Sequence, residues 1–117
     1  MLINEIVEIL DAKVVCGENM LEQNIRVACG SDLMSDVLAF VDKENGVLLT
    51  GMLNQQVVRT ADMLDMKCIV FVRGKEPEED IVELAKSRGI ALLSTRYRMF
   101  TACGMLYSAG LDGGCSE

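Results

Sequence analysis

The sequence has no histidine and no tryptophan among its 117 residues. Histidine is the side chain that most often transfers protons near neutral pH, and it is also a common zinc ligand. Its absence argues against acid-base catalysis of the usual kind and against the commonest metal sites. The composition therefore predicts a protein that binds rather than an enzyme, with no cofactor and no bound metal.

Long apolar runs are also missing, because charged residues interrupt every hydrophobic segment. A membrane-spanning helix needs about 20 consecutive apolar residues. The opening residues, MLINEIVEILD, carry acids where a signal peptide has lysines, and they lack a small-residue cleavage site. These features predict a cytoplasmic chain that makes no membrane contact.

Positive charge is scarce, with 11 lysines and arginines against 18 acidic residues and a net charge of −7. The basic residues lie singly or in pairs and form no stripe along the sequence. A chain of this charge repels phosphate backbones and anionic lipid head groups. Nucleic acid is therefore not an expected partner.

The five cysteines are an odd number without a CxxC pair, which is typical of reduced thiols rather than of a disulfide framework. Cys68 lies in an apolar strand pattern and Cys103 on an apolar helical stripe, so both are expected to be inert core residues. Cys16, Cys29 and Cys115 offer an alternative as thiolate metal ligands. A closed zinc site needs a fourth ligand, which this set lacks.

The chain has the length of one domain, and no low-complexity linker divides it. We expect a single domain over 1–117, with a flexible tail from about residue 111. Apolar residues spaced three and four apart predict a first helix over about 2–11. Short strands are expected at 13–16 and 25–29 on either side of a polar loop.

A second helix is expected to start at Ser31 or Asp32, because either side chain can cap the first turn. It would run through Phe40. In this interpretation Leu33, Val37 and Phe40 face the core.

From residue 46 the pattern becomes regular. Apolar runs at 47–49, 68–72 and 90–93 recur roughly every 22 residues, and a helical pattern follows each of them. The expected helix boundaries are Asn54 as an N-cap, Pro77 in a first turn, Gly89 as a C-terminal stop, Thr95 as the last N-cap and Gly110 as the last stop.

Alternating strands and helices with short connections imply parallel strands joined by right-handed crossovers. Continuously apolar strands imply helices on both faces of the sheet. The predicted fold is a three-layer α/β/α sandwich with a mainly parallel sheet of about five strands.

Polar residues cluster at the predicted carboxyl ends of these strands, where open α/β sheets bind ligands. Glycines let a ligand approach the backbone, hydroxyls and amides orient it, and Arg73 or Arg96 can hold an anionic group. The candidate ligand-binding residues are Ser31, Asp32, Thr50, Gly51, Asn54, Arg73, Gly74, Ser94 and Thr95.

An alternative explanation accounts for the same residues equally well, because turns and helix caps in any α/β domain are rich in Gly, Ser, Thr and Asn. Arg73 is the most informative of the set. As a structural residue it would form a surface ion pair with the acidic run from Glu76 to Asp80, which contributes little energy.

Two catalytic patterns are weaker. Gly46 and Gly51 have the spacing of a phosphate-binding P-loop, but Met52-Leu53 stands where Lys-Ser/Thr is required. Asp32 and Asp36, four residues apart, could act as an acid-base pair or bind Mg²⁺. The simpler interpretation is that Asp32 caps the helix and Asp36 faces solvent.

The segment from Leu49 to Leu111 resembles the DRTGG domain family and the N-terminal domain of HPr kinase/phosphorylase. The resemblance is carried by Arg73-Gly74 at a strand end, the Glu76-Pro77 helix start, Gly89-Ile90 entering a strand and Ser94-Thr95 before the last helix. Upstream, GSDLMSDVLAF at 30–40 is similar to a segment of stand-alone family members.

Two departures limit what the resemblance implies. The DRTGG motif itself is absent, and residues 50–54 occupy its place. HPr kinase keeps its P-loop and catalytic residues in a C-terminal domain without counterpart here, so the resemblance does not imply kinase activity.

The resemblance implies a non-catalytic α/β module, similar in architecture to the Mur ligase N-terminal domains that hold a uridine nucleotide. Family members accompany phosphotransacetylase or CBS-domain pyrophosphatase segments, where they look regulatory and tend to dimerise. The leading hypothesis is therefore a homodimeric regulatory module that binds a nucleotide-like or phosphorylated small molecule. The alternative, suggested by stand-alone members encoded beside iron-only hydrogenase components, is an accessory interaction subunit of a redox complex.

Overall fold

The computed structural model describes residues 1–41 and 44–113, and it describes Phe40 without its side chain. Within these residues the chain forms five strands, five α-helices and one short 3₁₀ helix at Glu18–Met20. In chain order the elements are α1 (Ile3–Leu10), β1 (Lys13–Cys16), β2 (Val27–Gly30), α2 (Met34–Phe40), β3 (Gly46–Thr50), α3 (Gln55–Met63), β4 (Cys68–Phe71), α4 (Glu79–Arg88), β5 (Ala91–Ser94) and α5 (Met99–Ser108).

The strands form one sheet in the order β1-β5-β4-β3-β2. The four strands from β2 to β5 are parallel, whereas β1 pairs with β5 in the antiparallel direction. The mainly parallel five-stranded sheet is thus confirmed, with β1 antiparallel to its neighbour. No crossover helix follows β1, and its chain instead passes to the opposite edge of the sheet, so the rule for β-α-β units does not apply to it.

The helices lie in two layers, as predicted. Helices α1 and α5 cover one face of the sheet, and α2, α3 and α4 cover the other. Every residue of β3, β4 and β5 is buried. Burial on both sides explains why these strands are continuously apolar.

Two helix boundaries follow the sequence prediction closely. The Asn54 side chain accepts a hydrogen bond from the Val57 N–H at 3.1 Å and begins α3. Gly89 ends α4 with a positive φ of 67°, a conformation that glycine adopts without a steric penalty.

Two other boundaries correct the prediction. Thr95 does not cap α5, which begins at Met99 with Arg98 in the N-cap position and no side-chain cap. Pro77 precedes α4 rather than lying in its first turn, because Glu78 is the N-cap.

Helix α2 is shorter than predicted, because Leu33 is its N-cap. Leu33 was expected to face the core but is 57% exposed, whereas Val37 is buried as expected. The Ser31 hydroxyl accepts a hydrogen bond from the Leu33 N–H at 3.0 Å and forms a local turn instead of a helix cap. The Phe40 side chain lies outside the described part of the chain.

The second strand begins at Val27 rather than at Ile25, although Ile25 is buried. The flexible tail from about residue 111 stays a prediction. Leu111 is buried, and the Asp112 carbonyl accepts a hydrogen bond from the Ala28 N–H at 2.8 Å. Cys115 lies outside the described residues.

No helix within the described ranges is long and apolar enough to cross a membrane.

Candidate ligand-binding rim

The carboxyl ends of β2, β3, β4 and β5 lie side by side at one end of the sheet. We call this surface the rim, and it comprises residues 31–33, 50–54, 73–75 and 94–98. Neighbouring strands are about 4.8 Å apart, so the rim extends about 14 Å from β2 to β5. That distance suits a molecule of nucleotide size better than a single small ion.

Asp32 ties two of the rim loops together. Its Oδ1 accepts one hydrogen bond from the Thr50 hydroxyl at 3.0 Å and another from the Gly51 N–H at 2.7 Å. The Thr50 hydroxyl in turn accepts a bond from the Met52 N–H at 3.2 Å. The Asp32 carboxylate therefore fixes the turn after β3, which is a structural task and not that of a free catalytic acid.

Two cationic side chains meet at this turn. The Lys75 ammonium donates to the Gly51 carbonyl at 3.0 Å. The Arg73 guanidinium lies over Gly51, where a Cβ would come within 2.7 Å of its Nη2. A larger residue at position 51 would displace the guanidinium from this place.

The backbone of Arg73 is in the left-handed region, with a φ of 63°. Three of the four non-glycine residues with positive φ in the described chain are Asp or Asn, namely Asp11, Asn45 and Asp65. These residue types adopt this conformation more readily than arginine does. Strained residues of this kind are concentrated at functional sites, so the backbone supports the interpretation of Arg73 as a binding residue.

The β5 end of the rim is built differently. The Thr95 hydroxyl donates to the Leu10 carbonyl at 2.8 Å, and Thr95 is 1% exposed. The Ser94 hydroxyl donates to the Lys75 carbonyl at 2.7 Å, and the Gly74 N–H donates to the Thr95 carbonyl at 2.8 Å. These groups join neighbouring loops, and their hydrogen bonds are already made within the protein.

Sequence reasoning missed two cations at the rim, Lys75 and Arg98. The Arg73 N–H donates to the Tyr97 carbonyl at 2.8 Å, which joins the loop after β4 to the loop after β5. Lys75 and Arg98 lie in these two loops, beside residues that were predicted. The available signal was the spacing, since Arg73 with Lys75 and Arg96 with Arg98 are two pairs separated by one residue. Only the adjacency of β4 and β5 brings the pairs together.

The four rim cations differ in how they are engaged. Arg96 pairs with Asp11 at 3.0 Å and lies 5.1 Å from the centre of the Tyr97 ring, and Lys75 bonds to backbone. Arg73 and Arg98 are exposed, and neither side chain makes an ion pair or hydrogen bond with the described residues. Arg73, the central one, is therefore the strongest candidate for holding an anion.

The remaining predicted residues have local structural tasks. Ser31 forms its turn with Leu33, and Asn54 caps α3. Asp36 lies on the exposed side of α2, while Asp32 is committed to the turn after β3. The arrangement therefore gives no support to a pairing of Asp32 with Asp36.

Among the described residues, Cys16, Cys29, Cys68 and Cys103 do not assemble into a site. Cys16 ends β1 and Cys29 lies on β2, and these strands are at opposite edges of the sheet. Burial raises the pKa of Cys16, Cys68 and Cys103, which keeps these thiols protonated and unreactive. Over residues 1–41 and 44–113, no cluster of three potential metal ligands occurs.

A cavity of about 430 Å³ lies away from the rim, at the other end of β5, between Gly17–Met20 and the C-terminal end of α4. Its walls include Cys16, Lys86 and Ile90. The cavity and the rim are therefore two separate candidate sites for a ligand. We favour the rim, because the cations and the strained arginine lie there.

A three-layer α/β domain with a basic rim at its parallel strand ends is the class of protein that this architecture defines. The family model of the DRTGG domain matches residues 5–109. The chain belongs to the DRTGG domain family.

Among solved structures, the chain is similar to the CBS and DRTGG domains of the regulatory region of Clostridium perfringens pyrophosphatase. The TM-score is 0.67 at 18% sequence identity, over 88% of this chain and 44% of that chain. That structure was determined in complex with an activator, diadenosine tetraphosphate. At this identity the similarity establishes the fold, and the chain spans less than half of the relative. No curated protein sequence matches the chain.

Proposed function

We propose that this domain is a non-catalytic regulatory module that binds a phosphorylated, nucleotide-like small molecule at the rim. The observation that carries the proposal is Arg73, an exposed arginine held in a left-handed backbone conformation over the Gly51 turn. An arginine fork recognises a phosphate through paired hydrogen bonds.

The surroundings of Arg73 suit the rest of a nucleotide. Leu33, Met52 and Leu53 are exposed apolar side chains on the rim loops next to the cations. Ligand sites commonly combine an apolar surface with a few fixed polar groups. A base or other flat ring would lie on these side chains while its phosphate meets Arg73.

The relatives support a regulatory role without identifying the ligand. The Clostridium perfringens structure is a regulatory region bound to a dinucleotide activator. Similarity to the N-terminal domain of HPr kinase/phosphorylase and a cytoplasmic location remain parts of the proposal that stand on the sequence alone. No reaction is proposed. The Asp32 carboxylate already accepts two hydrogen bonds from the turn after β3, and the thiols of Cys16 and Cys68 are buried.

The test is calorimetric titration of the purified protein with ATP, ADP and diadenosine tetraphosphate. Arg73→Gly is the informative variant, because glycine accepts the positive φ and should leave the fold intact. We expect the variant to bind at least about tenfold more weakly while its melting temperature stays equal or rises. Arg26→Ala is the matched control, since Arg26 is exposed and precedes β2, away from the rim.

A second variant separates the position of the guanidinium from its presence. Gly51→Ala places a methyl group where Arg73 Nη2 now lies, and the flexible end of the arginine can move away at little cost in stability. Affinity should fall as in Arg73→Gly with the fold unchanged. If none of the three nucleotides binds, or if Arg26→Ala weakens binding as much as Arg73→Gly, the rim proposal is wrong.

A second candidate is an accessory subunit of a redox complex such as an iron-only hydrogenase. The exposed side chains Leu33 and Leu38 on the α2 side favour an interaction surface of some kind. Affinity capture from native lysate tests it, and recovery of no hydrogenase subunit would count against it. Homodimerisation, which the family resemblance implies, belongs to the main proposal and is independent of this candidate.

A further inference from the structure

Helix α5 differs from the other helices in its exposed side, which we call the α5 face. The α5 face consists of Phe100, Thr101, Gly104, Tyr107 and Ser108, all of them exposed. Helix α5 has no charged residue, whereas each of the other four described helices has at least one. In a protein with 25% charged residues, this neutral surface is unusual.

The α5 face also exposes large rings. Phe100 is 90% exposed and Tyr107 is 73% exposed. With about 100° per residue, Phe100, Gly104 and Tyr107 fall within an arc of about 60° on the helix. A helix that is uncharged on all sides is usually covered, and an exposed apolar patch marks an interaction site.

The arrangement around Gly104 is self-complementary. Phe100 lies four residues before Gly104 and Tyr107 three residues after it. If two α5 helices cross antiparallel at Gly104, the rise of about 1.5 Å per residue brings Phe100 of one copy within about 1.5 Å, along the axis, of Tyr107 in the other. A Cβ at Gly104 would meet nothing within 4 Å, so two backbones can approach closely there.

A cleft of about 110 Å³ lies beside Tyr107 and extends this match. Cys103, Leu49 and Gly30 line it together with Tyr107, and these groups are mainly apolar. In the antiparallel arrangement, Phe100 of a second copy would lie next to this cleft. The cleft therefore provides a place for part of an aromatic ring.

Charge identifies the occupant. A second copy has the same net charge of −7, so two copies repel each other across most of their surfaces. The α5 face is the helical surface where this repulsion is absent. Arg98 directly precedes α5 and Asp112 follows it, so an antiparallel pairing places the basic end of each helix toward the acidic end of its partner.

We propose that the α5 face binds a second copy of this chain through an antiparallel α5 pair crossing at Gly104. This inference rests on the homodimer of the proposed function and adds the surface that forms it. One helix pair is small beside the roughly 1,600 Å² buried in stable complexes, so dissociation constants of the order of 10 to 100 µM are expected.

The experiment is sedimentation velocity on the ligand-free protein over a concentration series reaching about 500 µM, above the expected dissociation constants. We expect Phe100→Lys and Tyr107→Glu each to weaken dimerisation at least about tenfold. Met63→Glu is the matched control, because Met63 is 70% exposed on α3, in the opposite helix layer. Circular dichroism verifies that each variant is folded.

Combining Phe100→Lys with Tyr107→Glu tests the geometry. In the antiparallel pair the introduced ammonium faces the introduced carboxylate of the other copy, so the double variant should dimerise more tightly than either single variant. A monomer at all concentrations, or a dimer that persists in both single variants, would overturn the proposal. A double variant as monomeric as the singles would overturn the antiparallel crossing. Because no nucleotide is present, failure of ligand binding at the rim leaves these results unaffected.

Discussion

The β3–β4 part of the rim and the β5 part contain the same kinds of residue but differ in what those residues can do. In the β5 part, Thr95 is closed in by α1 and bonds to the Leu10 carbonyl. In the β3–β4 part, Thr50 is equally buried, but its hydroxyl bonds to Asp32 and helps to hold the turn at Gly51, over which Arg73 remains exposed. Polar composition at strand ends is therefore no measure of a site. A polar side chain at a strand end is available to a ligand only where no neighbouring element already supplies its hydrogen-bond partner.

Thr95→Val tests the β5 part of the rim and should have the largest effect on stability. The substitution keeps the shape but leaves the buried Leu10 carbonyl without the threonine hydroxyl as donor, so the free energy of unfolding should fall by about 2 kcal/mol. Urea denaturation measures it. Nucleotide affinity at the rim should not change. If affinity falls together with stability, the two parts of the rim are not separate in function.

Asp32→Ala tests the β3–β4 part of the rim and should have a smaller effect on stability. It removes two hydrogen bonds that lie partly in solvent, so we expect a loss of about 1 kcal/mol in the free energy of unfolding. Nucleotide affinity should fall as well, because the Gly51 turn beneath Arg73 loosens. Asp36→Ala, on the exposed side of α2, is the control and should change neither quantity.

Thr60→Val provides a reference for these two variants. Its effect on the free energy of unfolding should be the smallest of the three and opposite in sign. Thr60 is buried and its hydroxyl has no hydrogen-bond partner in the described structure. Removing an unsatisfied hydroxyl should raise the free energy of unfolding by about 0.5 kcal/mol. A loss comparable to that in Thr95→Val would mean that the Thr60 hydroxyl has a partner, and the comparison among the buried threonines would fail.

The sequence predicted those features that depend on residues close together in the chain. Asn54 caps α3 through a bond to a residue three positions away, and Gly89 ends α4 through its own backbone conformation. The continuously apolar strands β3, β4 and β5 indicated burial on both faces, and the three layers followed from that.

Features that depend on distant contacts were not predictable in this way. The Thr95 hydroxyl bonds to Leu10, 85 residues earlier, so the same hydroxyl that resembles a helix cap in the sequence is a tertiary anchor. Leu33 fits an inward helical stripe, but the Ser31 turn delays the helix and leaves Leu33 exposed. The antiparallel β1 and the meeting of the two basic pairs at the rim depend on strand order, which no local pattern encodes.

Both ends of the described chain hydrogen-bond to residues 25–28, and this has a practical consequence for protein engineering. The Ile25 N–H donates to the Met1 carbonyl at 2.6 Å, and the Ala28 N–H donates to the Asp112 carbonyl at 2.8 Å, so the two ends meet the chain only three residues apart. A short glycine-rich linker from Gly113 to Met1 should close the chain into a ring without altering the sheet. New ends opened in the exposed stretch around Glu22 would then give a circularly permuted domain that keeps the rim and the α5 face intact.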